Sequence, residues 1–374
     1  MKTKLLIVTL WAAALSTTAQ ITTPPSGDNQ KASVTQMIGL VSATINYSSP
    51  DVHGTNGEDR KGHIWGELVH YGFVDQGYGP SKAAPWRAGA NENTTITFSH
   101  DVVIEGKPLK AGTYGLFLAL AKEGPSQWIF SKNAASWGSY FYNDAEDALR
   151  VPTTLEDWTY TEWLTYNFDN RQLKSAFAYL AWENKRAGFK VEVPNLLELY
   201  VDKIRGELNG SEKGFDHSNL AAAARFCAQN KVALEQGLQW ADLAISMPFV
   251  GAKTFETLSS KAMVLNVMNK TADADAVMSE AVRLPGVSVQ EVHEYGRSLL
   301  AANRNDKALE IFKLNRKLHP DDKFTTYVGL ARAYTALNDK KNAVTNWEMA
   351  IKNIPESQKA NLAFYEGELK KLKA

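Results

Sequence analysis

The stretch FKVEVPNLLELYVDKIRGEL, residues 189–208, decides the fold because the spacing of its apolar residues changes inside it. Before Pro194, apolar and charged side chains alternate, which is typical of a β-strand with one buried face. After Pro194, apolar residues recur every three or four positions, which is typical of an amphipathic helix. The sequence therefore predicts sheet before this proline and helix after it.

The part of the chain upstream of Pro194 contains many short strand candidates. In GLVSATINYSS, residues 39–49, Val41, Ala43 and Ile45 alternate with polar side chains. Further candidates follow with turn residues such as EGKP and KAGT between them: TTITFSH, DVVIEG, GTYGLFLALA, SQWIFSK, TEWLTYNF and SAFAYLAWEN. Short strands without intervening helices predict an antiparallel β-sandwich, or a flattened barrel, over residues 37–194.

Residues 195–374 contain a repeated helical pattern. Less regular copies begin at Leu220, Phe255 and Val289, and the closing NLAFYEGELKKLKA is predicted to be a cap helix. The last copy, residues 324–357, has small and large residues at the intervals of a tetratricopeptide repeat: Tyr327, Leu330, Ala331, Tyr334, Ala343, Trp347, Ala350 and Pro355. We predict a tetratricopeptide-like α-solenoid here, and a two-domain α+β protein overall.

Tetratricopeptide arrays present a groove that binds peptides or partner proteins. Arg297, Asn303, Arg332 and Asn338 are candidates for its lining, at helix positions that face it. An array that only packs against the β-domain is the alternative.

The N-terminus has the layout of a secretory signal peptide over residues 1–19. Lys2 and Lys4 precede an apolar run that is shorter than a membrane span, and small residues end at Ala19. We therefore expect a periplasmic or secreted protein without a stable membrane anchor. Residues 20–36, QITTPPSGDNQKASVTQ, are polar and are predicted to be a flexible leader.

Composition excludes some partners and bonds. Lys+Arg and Asp+Glu both total 41, so no concentrated basic face is expected, and nucleic acid or an anionic membrane is not predicted as the main partner. Cys227 is the single cysteine, so the chain cannot form an intramolecular disulfide.

The segment APWRAGANENTTITF, residues 84–98, places polar side chains just before a predicted strand. One interpretation is a ligand site, in which Trp86 stacks on a sugar or another flat ligand while Arg87, Asn91 and Glu92 form hydrogen bonds to it. The other, which we favour, is a buried polar cluster that holds a loop over the core. In either case we expect Arg87 to form a bidentate pair with Glu92 or Asp147, and Asn91 to tolerate left-handed backbone angles.

A second aromatic and acidic segment is SKNAASWGSYFYNDAEDALRV, residues 131–151. Trp137 and Tyr140 lie beside carboxylates, a combination that suits carbohydrate recognition. Aromatic residues of a small β-domain are more often core, and we favour that interpretation. The candidate ligand set therefore consists of six residues: Trp86, Arg87, Asn91, Glu92, Trp137 and Tyr140.

Established catalytic and metal-binding patterns are not found. His53, His63 and His70 lie near several carboxylates but lack a defined zinc-ligand spacing. There is no Gly-x-Ser-x-Gly elbow and no phosphate-binding loop. A pair of catalytic carboxylates for glycoside hydrolysis can be neither dismissed nor assigned among Glu92, Asp147, Glu162 and Glu183, and Glu183 is predicted to cap a strand end. We therefore predict no catalytic residue, no metal site and no cofactor.

The stretch from about Ile38 to Val193 resembles an exported bacterial β-domain family known as domain of unknown function 2911. The resemblance is carried by YSSPDVHGTNGEDRKGHIWGELVHYG, PWRAGANENTTITFSHDVVIEGKPLKAGTYGLF, WGSYFYNDAEDALRVP and LAWEN. It implies a β-domain, often followed by helical repeats, and no established activity. One departure is the loop FVDQGYGPSKAA, residues 73–84, which is shorter in other members.

Two hypotheses follow. The first is an exported, non-enzymatic binding or scaffold protein of the cell envelope, which uses its helical repeats for protein–protein contacts. The second is a carbohydrate-binding or carbohydrate-processing module with its site around residues 86–92. The sequence favours a protein without enzymatic activity, but it does not decide whether the protein is an enzyme.

Overall fold

The computed structural model describes residue 27 and residues 29–374. The predicted signal peptide and part of the predicted leader, residues 20–26 and 28, lie outside the described residues. The chain divides into two compact units, the first ending at Leu196 and the second running from Leu197 to Ala374. Among the described residues, no helix has the length and apolar character needed to cross a membrane.

The first unit contains two antiparallel sheets, as the sequence predicts. The six-stranded sheet has the order β1-β2-β3-β6-β7-β8, and the four-stranded sheet has the order β5-β4-β10-β9. The strands are β1 (Gln30–Ile38), β2 (Val41–Ser49), β3 (Thr95–Phe98), β4 (Val102–Ile104), β5 (Lys107–Leu109), β6 (Gly112–Ala119), β7 (Ser126–Ser131), β8 (Asp147–Thr153), β9 (Glu156–Gln172) and β10 (Ser175–Glu192).

The core of this unit lies between the two sheets. Trp128 and Phe130 of β7 contact Phe189 of β10, with ring centroids 5.5 and 5.1 Å apart. On the other flank, Tyr47 of β2 meets Tyr166 of β9 at 4.9 Å. These edge-to-face aromatic contacts join the inner faces of a β-sandwich.

The prediction of a flexible leader is wrong for residues 30–36, because these residues form most of β1. β1 pairs with β2 along its whole length, from Gln30↔Ser49 to Ile38↔Val41. Its side chains are polar because β1 is an edge strand, where the backbone hydrogen bonds to one neighbour stabilise the strand without deep burial of side chains.

The second unit is helical, as the change of pattern at Pro194 predicts. The ten helices of the described chain are α1 (Leu196–Gly210), α2 (His217–Asn230), α3 (Leu234–Ser246), α4 (Phe255–Val267), α5 (Thr271–Ala281), α6 (Val289–Ala301), α7 (Asn305–Leu318), α8 (Thr325–Ala336), α9 (Lys340–Lys352) and α10 (Leu362–Lys373). Helices α2 to α9 form four consecutive pairs. We call α2, α4, α6 and α8 the first helices, and α3, α5, α7 and α9 the second helices.

The four pairs share one turn geometry. Directly after the first helix of each pair, a residue has left-handed backbone angles: Lys231, Asn269, Asn303 and Asn338, with φ from 53° to 62°. The next backbone N–H in each turn donates to a carbonyl five residues back, as in Arg304 N to Leu299 O at 2.9 Å. This is the Schellman type of helix ending, repeated four times. In the first pair Ala233 is left-handed as well, with φ 44°.

The turns correct part of the predicted groove lining. Asn303 and Asn338 do not lie at helix positions, because α6 ends at Ala301 and α8 ends at Ala336. Asparagine tolerates the left-handed conformation better than most residues, so these side chains serve the turn. Arg297 and Arg332 do lie on first helices, α6 and α8.

Candidate functional site

Trp86 belongs to a cluster of three indole rings in the first unit. Its ring stacks on that of Trp182, with centroids 6.2 Å apart and planes 14° apart, and it meets Trp65 edge-on at 5.9 Å. Its backbone pairs with Leu118 of β6, and only 8% of the residue is exposed. With its ring faces covered, Trp86 stabilises the core and does not offer a platform for a sugar.

Arg87 holds the following turn together. Its Nη1 donates to the backbone carbonyl of Asn91 at 2.5 Å, and its guanidinium lies over the ring of Tyr140, 4.8 Å from the centroid. Gly138 covers the other side so closely that a Cβ there would lie 2.2 Å from Cζ of Arg87. Arg87 therefore pins the loop around Tyr140 to the turn that begins at Ala88.

The predicted pairing of Arg87 with Glu92 or Asp147 is wrong. Ala88 and Asn91 both have positive φ, 49° and 56°, and the resulting turn brings a backbone carbonyl, not a carboxylate, to Arg87. The left-handed backbone predicted for Asn91 is confirmed.

Glu92 points to a different place, a cleft of about 320 Å³ between β1 and β2. Its carboxylate accepts from Lys31 Nζ at 2.7 Å and from Ser48 Oγ at 3.3 Å. Partial burial opposes ionisation, but the hydrogen bonds from Lys31, the backbone and Ser48, together with the charge of Lys31, lower the pKa of Glu92. Glu92 thus ties the turn to the edge strand.

Asp147 is paired within its own strand. Its Oδ2 accepts from Arg150 Nε at 2.6 Å and from the Tyr142 hydroxyl at 2.8 Å. Burial raises the pKa of Asp147 and, together with the hydrogen bond to Asp147, raises the pKa of Tyr142.

The structure therefore separates the six candidate ligand residues. Arg87, Asn91 and Tyr140 come together, and Trp137, 49% exposed, lies in the same loop as Tyr140. Trp86 is core, and Glu92 lines another cleft. A ligand role for this set remains a prediction.

A larger cleft, of about 810 Å³, lies beside the Arg87–Tyr140 contact. The loop of residues 73–84, which departs from the family pattern, forms one wall, and residues 141–150 form the other. The cleft is lined by Phe73, Pro80, Ser81, Lys82, Ala83, Asn133, Phe141, Tyr142, Asn143, Asp144, Glu146 and Arg150. Phe73 and Phe141 are exposed, and the Arg150 guanidinium lies 5.4 Å from the Phe73 ring centroid. The cleft offers aromatic faces next to charged groups.

A polar cluster that sequence reasoning missed surrounds His53. Its Nδ1 lies 2.8 Å from Glu162 Oε2, its backbone N–H donates to Glu162 Oε1 at 2.7 Å, and its Nε2 lies 3.5 Å from Asp59 Oδ1. The Tyr160 hydroxyl also donates to Glu162. Partial burial opposes the shift, but hydrogen bonds from Tyr160 and His53 lower the pKa of Glu162 to about 2. The hydrogen bond to Glu162 raises the pKa of His53.

Glu183 does not cap a strand end, because it lies inside β10. It has positive φ at a register shift between β9 and β10, which turns its buried carboxylate toward the loop that follows β2. There its Oε1 accepts from the Gly62 backbone N–H at 2.6 Å. Within the described residues, no group of three or more His, Cys, Asp or Glu side chains is placed to hold a metal ion.

In the second unit, three polar side chains and one aromatic ring form what we call the arginine patch: His293 and Arg297 of α6, Arg332 of α8 and Phe364 of α10. Arg332 lies 5.8 Å from the Phe364 ring centroid, and its buried Nε has no hydrogen-bond partner. His293 is 6% exposed, and its buried Nδ1 also has no partner. Arg297 donates to Glu294 of its own helix at 3.2 Å.

The charges of the arginine patch are unfavourable for the isolated chain. Burial, and then the nearby positive charge of Arg297, lower the pKa of Arg332. Burial lowers the pKa of His293 to about 4, so its ring is neutral at pH 7. Arg332 and His293 thus each keep a buried nitrogen atom without a hydrogen-bond partner.

No curated protein matches the chain. Among solved structures, MamA 41-end from Desulfovibrio magneticus RS-1 is similar, with 16% identity, a TM-score of 0.27, and coverage of 41% of this chain and 93% of its own. The MamA RS-1 ArsTM double mutant is similar with 16% identity, a TM-score of 0.27, and coverage of 42% and 95%. Both match the helical repeats.

The first unit matches a family model whose description is "Protein of unknown function (DUF2911)", over residues 29–191. This confirms the resemblance found in the sequence and extends it to include β1. Residues 29–191 are therefore similar to this family of unknown function, and in this chain the helical repeats follow them.

Proposed function

We propose that this protein is an exported, non-enzymatic binding protein of the cell envelope, and that its helical repeats bind a partner protein. The signal-peptide layout of residues 1–19 supports the exported location.

The observation that carries the proposal is the run of four helix pairs with the same left-handed turn. Among the first helices, α2 packs on α4 and α6 packs on α8. The second and third pairs share one apolar core, which contains Leu258 of α4, Met278 of α5, Leu299 of α6 and Phe312 of α7. Stacked repeats bury their second helices' apolar faces and present an extended surface of first helices, which is the surface that repeat proteins use to bind partners.

Site-specific photo-crosslinking tests this function in the full chain. A photoreactive amino acid replaces Met263 of α4 or Ala301 of α6, both exposed on first helices. The matched controls carry it at Ala276 of α5 or Glu310 of α7, exposed on second helices. In envelope extract of the natural host, we expect the probes on the first helices to form one defined protein adduct. The control probes on the second helices are expected to form none. Absence of adducts from the first helices, or equal adducts from both sets, would count against the proposal.

Carbohydrate binding is the second candidate function. It is favoured by the cleft of about 810 Å³ in which the exposed rings of Phe73 and Phe141 lie near Arg150, because sugar rings stack on aromatic faces while hydroxyl groups bind charged side chains. The site then lies beside residues 86–92 and not on them.

Calorimetric titration with a panel of envelope oligosaccharides tests this second function. The function is supported if one sugar binds the wild type and Leu173→Ala but does not bind Phe141→Ala. Leu173 is an exposed residue outside the cleft. Binding that is unchanged in Phe141→Ala excludes the cleft.

A further inference from the structure

We propose that the arginine patch binds a carboxylate side chain of an extended acidic segment in the partner protein, with Arg332 as the main contact. This inference rests on the proposed function, because it names the chemistry of the segment that the repeats bind.

The first argument is the missing counter-charge at Arg332. Within residues 29–374, no carboxylate lies at ion-pair distance from Arg332. The nearby acids are otherwise engaged: Glu294 accepts from Arg297 at 3.2 Å, and Glu368 accepts from Lys371 at 2.6 Å. Arg332 therefore feels these carboxylates only at longer range, and its half-buried guanidinium, beside that of Arg297, has no ion-pair partner of its own among the described residues.

The second argument is the environment behind the arginines. His293 packs against the ring of Phe312, with centroids 5.4 Å apart, and is neutral at pH 7. Its buried Nδ1 has no partner, so this wall of the patch is polar but unsatisfied. A bound carboxylate would give Arg332 a direct ion-pair partner, and in a partly desolvated site such a pair is stronger than on an open surface.

The third argument is the exposed ring of Phe364, which is 51% exposed and lies under the Arg332 guanidinium. The ring limits the orientation of the guanidinium and offers an apolar surface next to the charge. A peptide with acidic and apolar side chains matches both features. Nucleic acid also carries anions, but the chain has as many acidic as basic residues, a balance that does not favour binding along a phosphate backbone.

Direct titration tests the inference on the full chain. The probes are three fluorescent synthetic peptides of one length: a peptide of alternating glutamate and leucine with blocked termini, its glutamine counterpart with blocked termini, and the glutamine peptide with a free C-terminal carboxylate. We expect the glutamate peptide to bind at least about tenfold more tightly than the glutamine peptide. We also expect its affinity to fall as the salt concentration is raised above about 0.15 M.

Matched variants assign the effect to the arginine patch. Arg332→Gln is expected to reduce glutamate-peptide affinity to that of the glutamine peptide, and Arg332→Lys to retain part of it. Arg283→Gln removes an equal charge from an exposed position on another face and is expected to bind like the wild type. Thermal unfolding separates binding from structure, because Arg332→Gln relieves a buried charge and is expected to unfold no earlier than the wild type.

Each contrary result overturns the inference. Equal affinity for glutamate and glutamine peptides excludes acidic recognition, and tight binding of only the free C-terminal carboxylate excludes a side-chain carboxylate. Unchanged binding in Arg332→Gln excludes this site, as does failure of every peptide to bind. In all of these cases the photo-crosslinking result decides the proposed function independently.

Discussion

The ring of Phe312 on α7 lies directly against Gly296 on α6. A Cβ at position 296 would lie 2.5 Å from the ring, closer than real side-chain carbons approach. The same ring also lies against Gly329 on α8, where a Cβ would be 2.3 Å away. One fully buried phenylalanine thus sets the spacing between the third and fourth helix pairs.

We predict that Gly296→Ala destabilises the second unit by about 1–3 kcal/mol, because the added methyl group overpacks the contact with Phe312. The matched control is Gly367→Ala on α10, where a Cβ would meet nothing within 4 Å. There alanine is expected to stabilise the helix by up to about 1 kcal/mol. Urea unfolding followed by far-UV circular dichroism measures both, and equal effects of the two substitutions would refute the close approach.

Acidic pH is expected to lower the free energy of unfolding of the second unit, because His293 is protonated more readily in the unfolded chain than in the fold. Its pKa is about 4 in the fold, against an ordinary value of 6.5, so the unfolded chain binds a proton first as the pH falls. Stability is therefore lost as pH falls from about 6.5 toward 4, by about 2 kcal/mol between pH 7 and pH 5.

Urea unfolding of the wild type and of His293→Leu at pH 7 and pH 5 measures the direction and magnitude of this loss of stability. The loss is expected to shrink in His293→Leu and to persist in the control His217→Gln, at the start of α2. An equal acid dependence in wild type and His293→Leu would show that this histidine is not buried in its neutral form.

In the first unit, we predict that Glu162→Gln lowers the pKa of His53 toward its ordinary value, because the hydrogen bond to Glu162 is the main cause of its elevation. NMR titration of labelled histidines in the full chain measures it. The control is Glu67→Gln, which removes the carboxylate near His63 and is expected to leave His53 unchanged. A His53 pKa that does not respond to Glu162→Gln would contradict the pairing seen here.

Trp86 and Trp137 are expected to respond differently to truncation. Trp86→Ala removes a ring stacked on Trp182 in the core and is expected to cost about 3–5 kcal/mol. Trp137→Ala removes a ring that is 49% exposed and is expected to change stability by no more than about 0.5 kcal/mol. Chemical unfolding of the first unit compares them, and similar losses would contradict the assignment of Trp86 to the core.

The architecture was accessible from sequence because it depends on local periodicity. The alternation in β2 and the three- and four-residue spacing after Pro194 each reflect one element, and both predicted structures formed. β1 was missed because an edge strand is stabilised mainly by backbone hydrogen bonds, which leave little trace in its side chains.

The contacts of the candidate site were mostly inaccessible from sequence because they join distant segments. Glu92 pairs with Lys31 of the strand that was missed, and His53 pairs with Glu162 across 109 positions. Trp86 meets Trp182 only because the loop after β2 folds over β10. Asn91 was predictable, since its left-handed conformation is a local property of the residue.

Hydrogen–deuterium exchange of the full chain, alone and with the partner identified by crosslinking, tests the central claim most directly. If the helical repeats are the binding surface, the partner slows exchange in α4, α6 and α8 and leaves residues 29–191 unchanged. Slower exchange confined to residues 29–191 would contradict the claim and assign the interaction to the β-sandwich.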